Sequence, residues 1–328
     1  RRVFTIRTSA RRLMKPGGSA NCEHPPRAQG TSRIVTAAVG VDVGGTKCLG
    51  VAVVDGKVVA EDRRPTPVGD QVISTVASML RELGARSDTP DVRFGLGIAG
   101  LVGRDGVLYE SPHLTLPPAA NLALRLRELL NQPVTIDNDA TAAAFAEWAL
   151  GAGMGARCSV CVTLGTGIGV GVVNDGQVLR GAHGFAGEMG HMCIDRDGMQ
   201  CKCGQRGCWE LYASGSALNQ LARGAGFTSE SLAVKARSGA ADAIAVCEKF
   251  ADDVALGLAA VCYAYDPDAI VLGGGVSTSA DVIVPMVQER LAAHIYAAHT
   301  RPLPKVIVAS LGERASAIGA ALLALGTD

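Results

Sequence analysis

Apolar positions along this chain occur in two arrangements: short β-branched runs, and longer stretches with apolar residues three and four positions apart. The first arrangement is typical of strands and the second of helices packed on one face. The runs predict strands at 37–43, 48–55, 57–62, 92–100, 133–139, 269–277 and 304–310. The longer stretches predict helices at 71–83, 121–130, 140–150, 241–265, 281–295 and 313–325. Because residues 101–120 are rich in proline, we expect a loop there, and the alternation as a whole indicates an α/β fold.

The first predicted hairpin recurs 120 residues later in the chain. Under that shift Gly45-Thr46, Val53, Asp55-Gly56 and Val58 fall on Gly165-Thr166, Val173, Asp175-Gly176 and Val178. Chance identity over so short a window is the alternative, but the shared order of turn, strand and hairpin favours a duplication. A length of 328 residues also exceeds what one hydrophobic core usually serves. The sequence therefore predicts two related halves.

The formal net charge of zero conceals an uneven distribution of charge. Residues 1–33 hold eight Lys/Arg and one acid, so the rest of the chain is mildly acidic. This balance disfavours nucleic acid as a partner, and no apolar run approaches the ~18 residues of a membrane span. We predict a disordered basic tail at 1–35, too short for a folded DNA-binding domain. Its composition is like that of a transit peptide, although an upstream translation start is the simpler interpretation.

The stretch from Gly187 to Glu210 combines soft metal ligands with closely spaced glycines. Its C-x-C-x4-C spacing and upstream histidine predict a zinc site made of His191, Cys201, Cys203 and Cys208. Four protein ligands leave no open position, so the ion would be structural and would fix the nearby Glu188 and Glu210. Replacement of one ligand by Cys193, or a set of free thiols, are the alternatives. The ten cysteines of the chain do not suit a small secreted disulfide scaffold, and the cluster in this stretch is typical of metal binding in a cytosolic protein.

Three glycine-rich turns follow predicted strands, at 42–47, 164–169 and 272–276. Backbone N–H groups in such turns can bind phosphates. Two of the turns belong to the repeat, which favours a nucleotide divided between two halves. None of the turns has the P-loop spacing or the dinucleotide fingerprint. Asp42 in the first turn is a candidate ligand for Mg²⁺, with turn capping as the alternative.

Asp137, Asn138 and Asp139 end one predicted strand and begin the next predicted helix. Capping of the helix would explain one of these side chains. Three in succession, placed between the two repeats, exceed what a cap requires. A carboxylate at this position could accept the proton of a substrate hydroxyl during phosphoryl transfer.

With these motifs in hand, the chain resembles the ROK family (repressors, open reading frames, kinases), and within it the bacterial zinc-containing glucokinases. The resemblance covers about residues 38–326 and rests on VDVGGTK, IDNDA, LGTGIGVGVV, GAHGFAGEMGH, CKCGQRGCWE and IVLGGGV. It implies a duplicated ribonuclease-H-like (actin/hexokinase-like) fold with two domains flanking a cleft. The implied small domain is 36–137, completed by a C-terminal helix at about 313–328. The implied large domain is 138–312, with its zinc loop at 191–208.

The resemblance also implies a cytoplasmic, ATP-dependent glucokinase with structural Zn²⁺ and with Mg²⁺ bound to ATP. Asp139 would be the general base toward the sugar 6-hydroxyl. The sugar would be held by Asn138, Glu188, His191 and Glu210. The nucleotide would be bound by Asp42, Gly44, Gly45, Thr46, Lys47, Gly165, Thr166, Gly167, Gly273 and Gly274. A homodimer or homotetramer is expected.

Alternatives to this function stay open at the level of the sequence. They are another hexose or N-acetylmannosamine kinase of the same family, polyphosphate as the phosphoryl donor, and a sugar-sensing regulator without catalysis. The ROK repressors carry an additional N-terminal helix-turn-helix domain, for which the 33-residue basic segment is too short.

Overall fold

The computed structural model describes residues 36–326, so the predicted tail at 1–35 and the end of the predicted C-terminal helix lie outside the described residues. The strands are β1 (Ala37–Val43), β2 (Lys47–Val54), β3 (Lys57–Pro65), β4 (Val92–Ile98), β5 (Leu101–Val102), β6 (Val107–Glu110), β7 (Ala120–Asn121), β8 (Val134–Asn138), β9 (Cys158–Leu164), β10 (Ile168–Asn174), β11 (Gln177–Val178), β12 (Ala269–Gly274) and β13 (Lys305–Val308). The α-helices are α1 (Gln71–Ala85), α2 (Leu122–Leu130), α3 (Asp139–Leu150), α4 (Glu210–Ala213), α5 (Gly215–Gly224), α6 (Ser229–Arg237), α7 (Ala241–Tyr265), α8 (Ala280–His294) and α9 (Ala315–Ala324). Short 3-10 helices occur at Met189–His191, Gly275–Ser279 and Gly312–Arg314.

Two five-stranded sheets have the same strand order and the same strand directions. The first is β3-β2-β1-β4-β8 and the second is β11-β10-β9-β12-β13. In each, an antiparallel three-stranded meander is extended by two parallel strands. This is the duplicated ribonuclease-H-like, actin/hexokinase-like fold that the sequence predicted.

The register of the two hairpins refines the predicted repeat. Val53 pairs with Val58, and Val173 pairs with Val178, so the offset of 120 holds for β2–β3 and β10–β11. The first strand of each hairpin follows an offset of 121, because Val43 pairs with Cys48 whereas Leu164 pairs with Ile168. The first glycine turn is therefore one residue longer than the second.

Two alanine-rich helices, α3 and α9, lie against each other at the centre of the molecule. Helix α9 packs on β1 and β4, where a Cβ on Gly40 or Gly95 would overlap carbonyl oxygens of the helix. Helix α3 packs on β9 and β10, and a Cβ on Gly171 would meet the Ala144 side chain at 2.5 Å. Glycine in the strands and alanine in the helices permit this close approach, which places the start of α3 beside both sheets.

Residues 101–120, predicted to be a loop, contain the short strands β5 and β6 and the start of β7, which form a small three-stranded sheet, while 103–106 and 111–119 are turns and loop. The prediction missed these strands because each is only two to four residues long, which is too short to show alternation. Val102, Leu108 and Ala120 are buried in the core of the first sheet. Tertiary packing therefore orders a segment whose local pattern is weak.

The predicted domain limits stay a prediction, although several contacts agree with their outline. Strand β8 runs in the first sheet to Asn138, one residue beyond the predicted limit of the small domain. Helix α9 packs on that same sheet, as the predicted C-terminal helix was expected to do. Within 36–326, no helix is both long enough and apolar enough to cross a bilayer.

Candidate active site

Asn138 and Asp139 lie where β8 ends and α3 begins. The side chain of Asn138 accepts a hydrogen bond from the backbone N–H of Thr141 at 3.0 Å and so caps the helix. Its amide nitrogen donates to the carbonyl oxygen of Gly100 at 3.2 Å and to a carboxylate oxygen of Asp139 at 3.0 Å. Because Asn138 does the capping, the carboxylate of Asp139 is not needed as the helix cap.

Asp42 and Asp139 form a pair of partly buried carboxyl groups at one end of the first sheet. Burial, reinforced by the charge of Asp139, raises the pKa of Asp42 to about 7, against a hydrogen bond that the Ser316 hydroxyl donates at 2.8 Å. Burial also raises the pKa of Asp139, against hydrogen bonds from backbone amides and the charge of His113. A carboxylate with a raised pKa is a better proton acceptor near neutral pH. The arrangement is suited to general base chemistry.

The predicted zinc ligands converge. The ligand atoms of His191, Cys201, Cys203 and Cys208 all lie within 4.8 Å of one another. The two thiol sulfurs of Cys203 and Cys208 are 3.5 Å apart, and the Cys201 sulfur is 3.9 Å from Nδ1 of His191. Ligand atoms around a tetrahedral zinc ion are about 3.8 Å apart when the Zn–S bonds are about 2.3 Å long. Three thiols and one imidazole at these separations fit zinc.

Cys193, the alternative ligand, lies outside this cluster. Its backbone pairs with that of Cys208 in an isolated antiparallel bridge, and its side chain is exposed. The group of four ligand atoms that the structure brings together does not include its sulfur. The bridge instead helps to fold the loop back on itself.

Trp209 and Glu210 connect the cysteine loop to helix α7 and to strand β10 of the second sheet. Trp209 is fully buried, and its indole N–H donates to the carbonyl oxygen of Asp253 on α7 at 2.9 Å. One carboxylate oxygen of Glu210 accepts from the N–H of Ile168 at 3.4 Å, and the other lies 3.8 Å from the Cys201 sulfur. Glu210 therefore lies between the cluster and the second glycine turn, close against Gly167.

Glu188 precedes a single turn of 3-10 helix, and His191 is the last residue of that turn. Nδ1 of His191 faces the thiols, which leaves Nε2 available for another partner. Glu188 is exposed as a residue, yet desolvation of its carboxyl group raises its pKa. The charges of Asp139 and Glu210 act in the same direction, and that of His191 in the opposite one. These charge effects indicate that His191, Glu210 and Asp139 are near enough to Glu188 to influence its carboxyl group.

The second and third glycine turns adjoin each other, while the first is in the other sheet. Gly274 pairs with Leu164 and has a φ of 88°, and a Cβ there would lie 2.6 Å from the Leu164 carbonyl oxygen. Gly165 accepts a hydrogen bond from the N–H of Ser216 at 3.3 Å, at the start of α5. Gly45 and Thr46 are exposed in the first turn, where the carbonyl oxygen of Thr46 accepts a hydrogen bond from the N–H of Thr66 at 3.1 Å.

The sequence matches the ROK family over residues 38–327. A glucokinase from Streptomyces coelicolor is 33% identical over 313 residues, covering 88% of this chain and 98% of that protein. The chain belongs to the ROK family.

Other ROK proteins similar to this chain have names that state different functions. The N-acetylgalactosamine kinase AgaK of a Shewanella strain is 32% identical, over 88% of this chain and 97% of that enzyme. The xylose repressor of Bacillus subtilis is 28% identical, over 86% of this chain and 75% of the repressor. A ROK glucokinase from Streptomyces griseus, crystallised with glucose and AMPPNP, superposes with a TM-score of 0.77 and 30% identity, over 88% of this chain and 98% of that one.

Several residues near the site of this ROK protein were not identified as candidates from the sequence. They are Glu313, Arg63, Arg180 and His113. Lys47, predicted to bind nucleotide, pairs with Glu313, which also pairs with Arg63. Arg180 donates to the buried Asp137 at 2.7 Å, beside a cavity of about 390 Å³. These partners lie far apart in the chain and carry no spacing pattern. His113 was missed because it lies in a proline-rich loop with no recognisable motif around it.

Proposed function

We propose that this protein is an ATP-dependent glucokinase that transfers a phosphoryl group to the 6-hydroxyl of glucose, with Asp139 as general base. The observation that carries the proposal is the position of Asp139, at the start of α3, beside Asp42 and electrostatically coupled to Glu188. Asp139 thus interacts electrostatically with an acid beside the first glycine turn and with an acid of the cysteine loop, which supports the role of base. The similarity to glucokinases supports the choice of sugar.

In the proposed reaction Asp139 accepts the proton of the sugar hydroxyl as that oxygen attacks the terminal phosphorus of ATP. Its raised pKa and the fixed amide of Asn138 favour this role. The bond between that phosphorus and the bridging oxygen breaks, and ADP leaves with the electron pair. Mg²⁺ bound to ATP would neutralise phosphate charge, with Asp42 as the nearest candidate for holding it.

Sugar binding is assigned to Asn138, Glu188, His191 and Glu210. Carboxylates and an imidazole nitrogen can accept and donate hydrogen bonds to neighbouring hydroxyls of a hexose. Glu210 is held by the N–H of Ile168, and His191 by the thiol cluster, so their positions are fixed before the sugar arrives. Zinc, held by His191 and the three cysteines, would stabilise that preorganised loop without taking part in the chemistry.

ATP is assigned to the glycine turns of both halves. The first turn offers Gly44, Gly45, Thr46 and Lys47, and the second and third offer Gly165, Thr166, Gly167, Gly273 and Gly274. The exposure of Gly45 and Thr46 in the first turn supports the phosphate role. Release of Lys47 from Glu313 would be needed for the lysine to reach phosphate. A cytoplasmic location and a homodimer or homotetramer complete the proposal.

A coupled phosphorylation assay tests it, with Mg-ATP against hexoses and N-acetylhexosamines. Turnover on glucose well above the other sugars is expected. Preference for an N-acetylhexosamine would replace the substrate and keep the base. That second candidate is favoured by the similarity to an N-acetylgalactosamine kinase. Polyphosphate in place of ATP tests the donor, and a folded protein inactive on every sugar would favour a regulator.

A further inference from the structure

His113 lies in the segment between β6 and β7. Hydrogen bonds fix the start of this segment. The Ser111 hydroxyl donates to the carbonyl oxygen of Ala99 at 2.7 Å, and the N–H of His113 approaches that hydroxyl at 3.4 Å. The segment is therefore anchored to the end of β4, and the His113 side chain is exposed.

The imidazole lies directly over the first glycine turn. A Cβ on Gly45 would lie 3.0 Å from Cβ of His113 and 3.9 Å from its Nδ1. Gly45 does not have a positive φ, so the backbone conformation there does not require glycine. A larger residue in place of Gly45 would instead press against the side chain of His113.

The same histidine interacts electrostatically with Asp139. Gly100, next to the Ala99 anchor, accepts the hydrogen bond of the Asn138 amide, which also contacts Asp139. The adjacent residues Ala99 and Gly100 therefore hold both the histidine segment and Asn138, which contacts the proposed base. The charge of His113 lowers the pKa of Asp139, whereas burial, which is the larger effect, raises it.

This position has a chemical consequence that rests on the proposed function. Phosphate groups at the first glycine turn and a hydroxyl at Asp139 define the two ends of the phosphoryl transfer. An imidazole N–H beside both can donate to a phosphoryl oxygen, where negative charge must be stabilised. We propose that His113 is a catalytic residue that donates a hydrogen bond to the transferring phosphoryl group and then to the 6-phosphate of the product.

In this step His113 transfers no proton. The O–P bond to ADP breaks, the bond from the sugar oxygen to phosphorus forms, and the hydroxyl proton passes to Asp139. The alternative is that the ring only packs against Gly45. His113→Phe keeps the packing and removes the donor, whereas His113→Asn keeps an N–H donor on a shorter side chain.

The test measures kcat together with calorimetric affinities for glucose and for glucose 6-phosphate. For His113→Phe we expect kcat to fall at least about tenfold and the affinity for glucose 6-phosphate to fall by a similar factor, with glucose affinity within about twofold. His113→Asn should recover part of both losses. His299→Phe, at an exposed histidine in the turn after α8, is the matched control and should match the unaltered protein.

Unchanged kcat and product affinity in a folded His113→Phe protein would overturn this inference. A loss confined to glucose affinity would also overturn it, since the residue would then bind the sugar. Absence of turnover in the unaltered protein would count against the kinase proposal instead. Product affinity still tests His113 in that case, because it does not depend on turnover.

Discussion

The hairpins that begin the two halves of this molecule share a topology and differ in the chemistry around their glycine turns. Asp42 in β1 and Thr163 in β9 occupy the same place, one residue before the end of the strand and opposite a glycine of the next parallel strand. Asp42 accepts from Ser316 and is coupled to Asp139. The Thr163 hydroxyl instead donates to the carbonyl oxygen of Gly169 at 3.3 Å across its own hairpin.

This difference shows that the two copies of a duplicated fold can take different roles. The acids near the first turn include the proposed base and a candidate metal ligand. The second turn has a neutral residue at the equivalent place, which avoids repulsion of a phosphate chain. It is also the turn that supports Glu210 and, through it, the cysteine loop. The first half is thus suited to proton and phosphoryl chemistry, and the second to holding ligands.

The largest expected effect comes from Asp139→Asn in the first half. We expect kcat to fall by about 10²–10⁴-fold, because the variant cannot accept the hydroxyl proton, while the protein stays folded. Steady-state kinetics and circular dichroism measure both. Thr163→Val in the second half is the control and should lower kcat by less than about threefold. Near-normal turnover of the Asp139→Asn variant would remove Asp139 from the mechanism.

The next effect is on stability in the second half. Trp209→Ala should lower the free energy of unfolding by about 3–5 kcal/mol, because it empties a fully buried site next to Cys208. Urea unfolding measures the loss. Trp148→Ala should cost less, since Trp148 is only partly buried on α3. Equal losses for the two tryptophans would contradict the anchoring role of Trp209.

Removal of one thiol tests the link between the cysteine loop and the sugar. Cys203→Ser should lower the bound zinc and raise the sugar KM about 10–100-fold, because the loop that positions Glu210 loses its metal. Elemental analysis and kinetics provide the two measurements. Cys193→Ser, outside the cluster, should retain both properties. Full zinc occupancy in Cys203→Ser would assign the ligand role to another residue.

The smallest effect is the pH dependence of stability, which belongs to the first half. An unfolded Asp42 loses its proton near its ordinary pKa of 3.8, whereas the folded one keeps it to about pH 7. The folded state therefore binds more protons in that window, and the free energy of unfolding falls as pH rises from about 4 to about 7. Asp42→Asn should reduce this fall by about 1–2 kcal/mol, less than the full shift implies because the side chain is only partly buried. Urea midpoints at several pH values measure it, and parallel profiles would contradict it.

Local chemistry accounts for what the sequence predicted well. Asp55-Gly56 and Asp175-Gly176 both adopt the positive φ values of tight hairpin turns, so these two turns were predictable. The predicted helix 241–265 matches α7 residue for residue. The ligand spacing of the cysteine loop led to four atoms that do converge. Each of these patterns is set by interactions within a few residues or a few turns of chain.

The sequence by itself thus determined the duplicated α/β plan, the hairpins, and the place of Asp139 at a strand–helix junction. Only the tertiary structure decided that Ser316, 274 positions away in the chain, donates to Asp42, and that Glu313 pairs with Lys47. It also placed His113 over Gly45 and left Cys193 outside the thiol cluster. The physical reason is that periodicity and turn chemistry record local sterics. Contacts between distant segments depend instead on how α3 and α9 pack between the sheets.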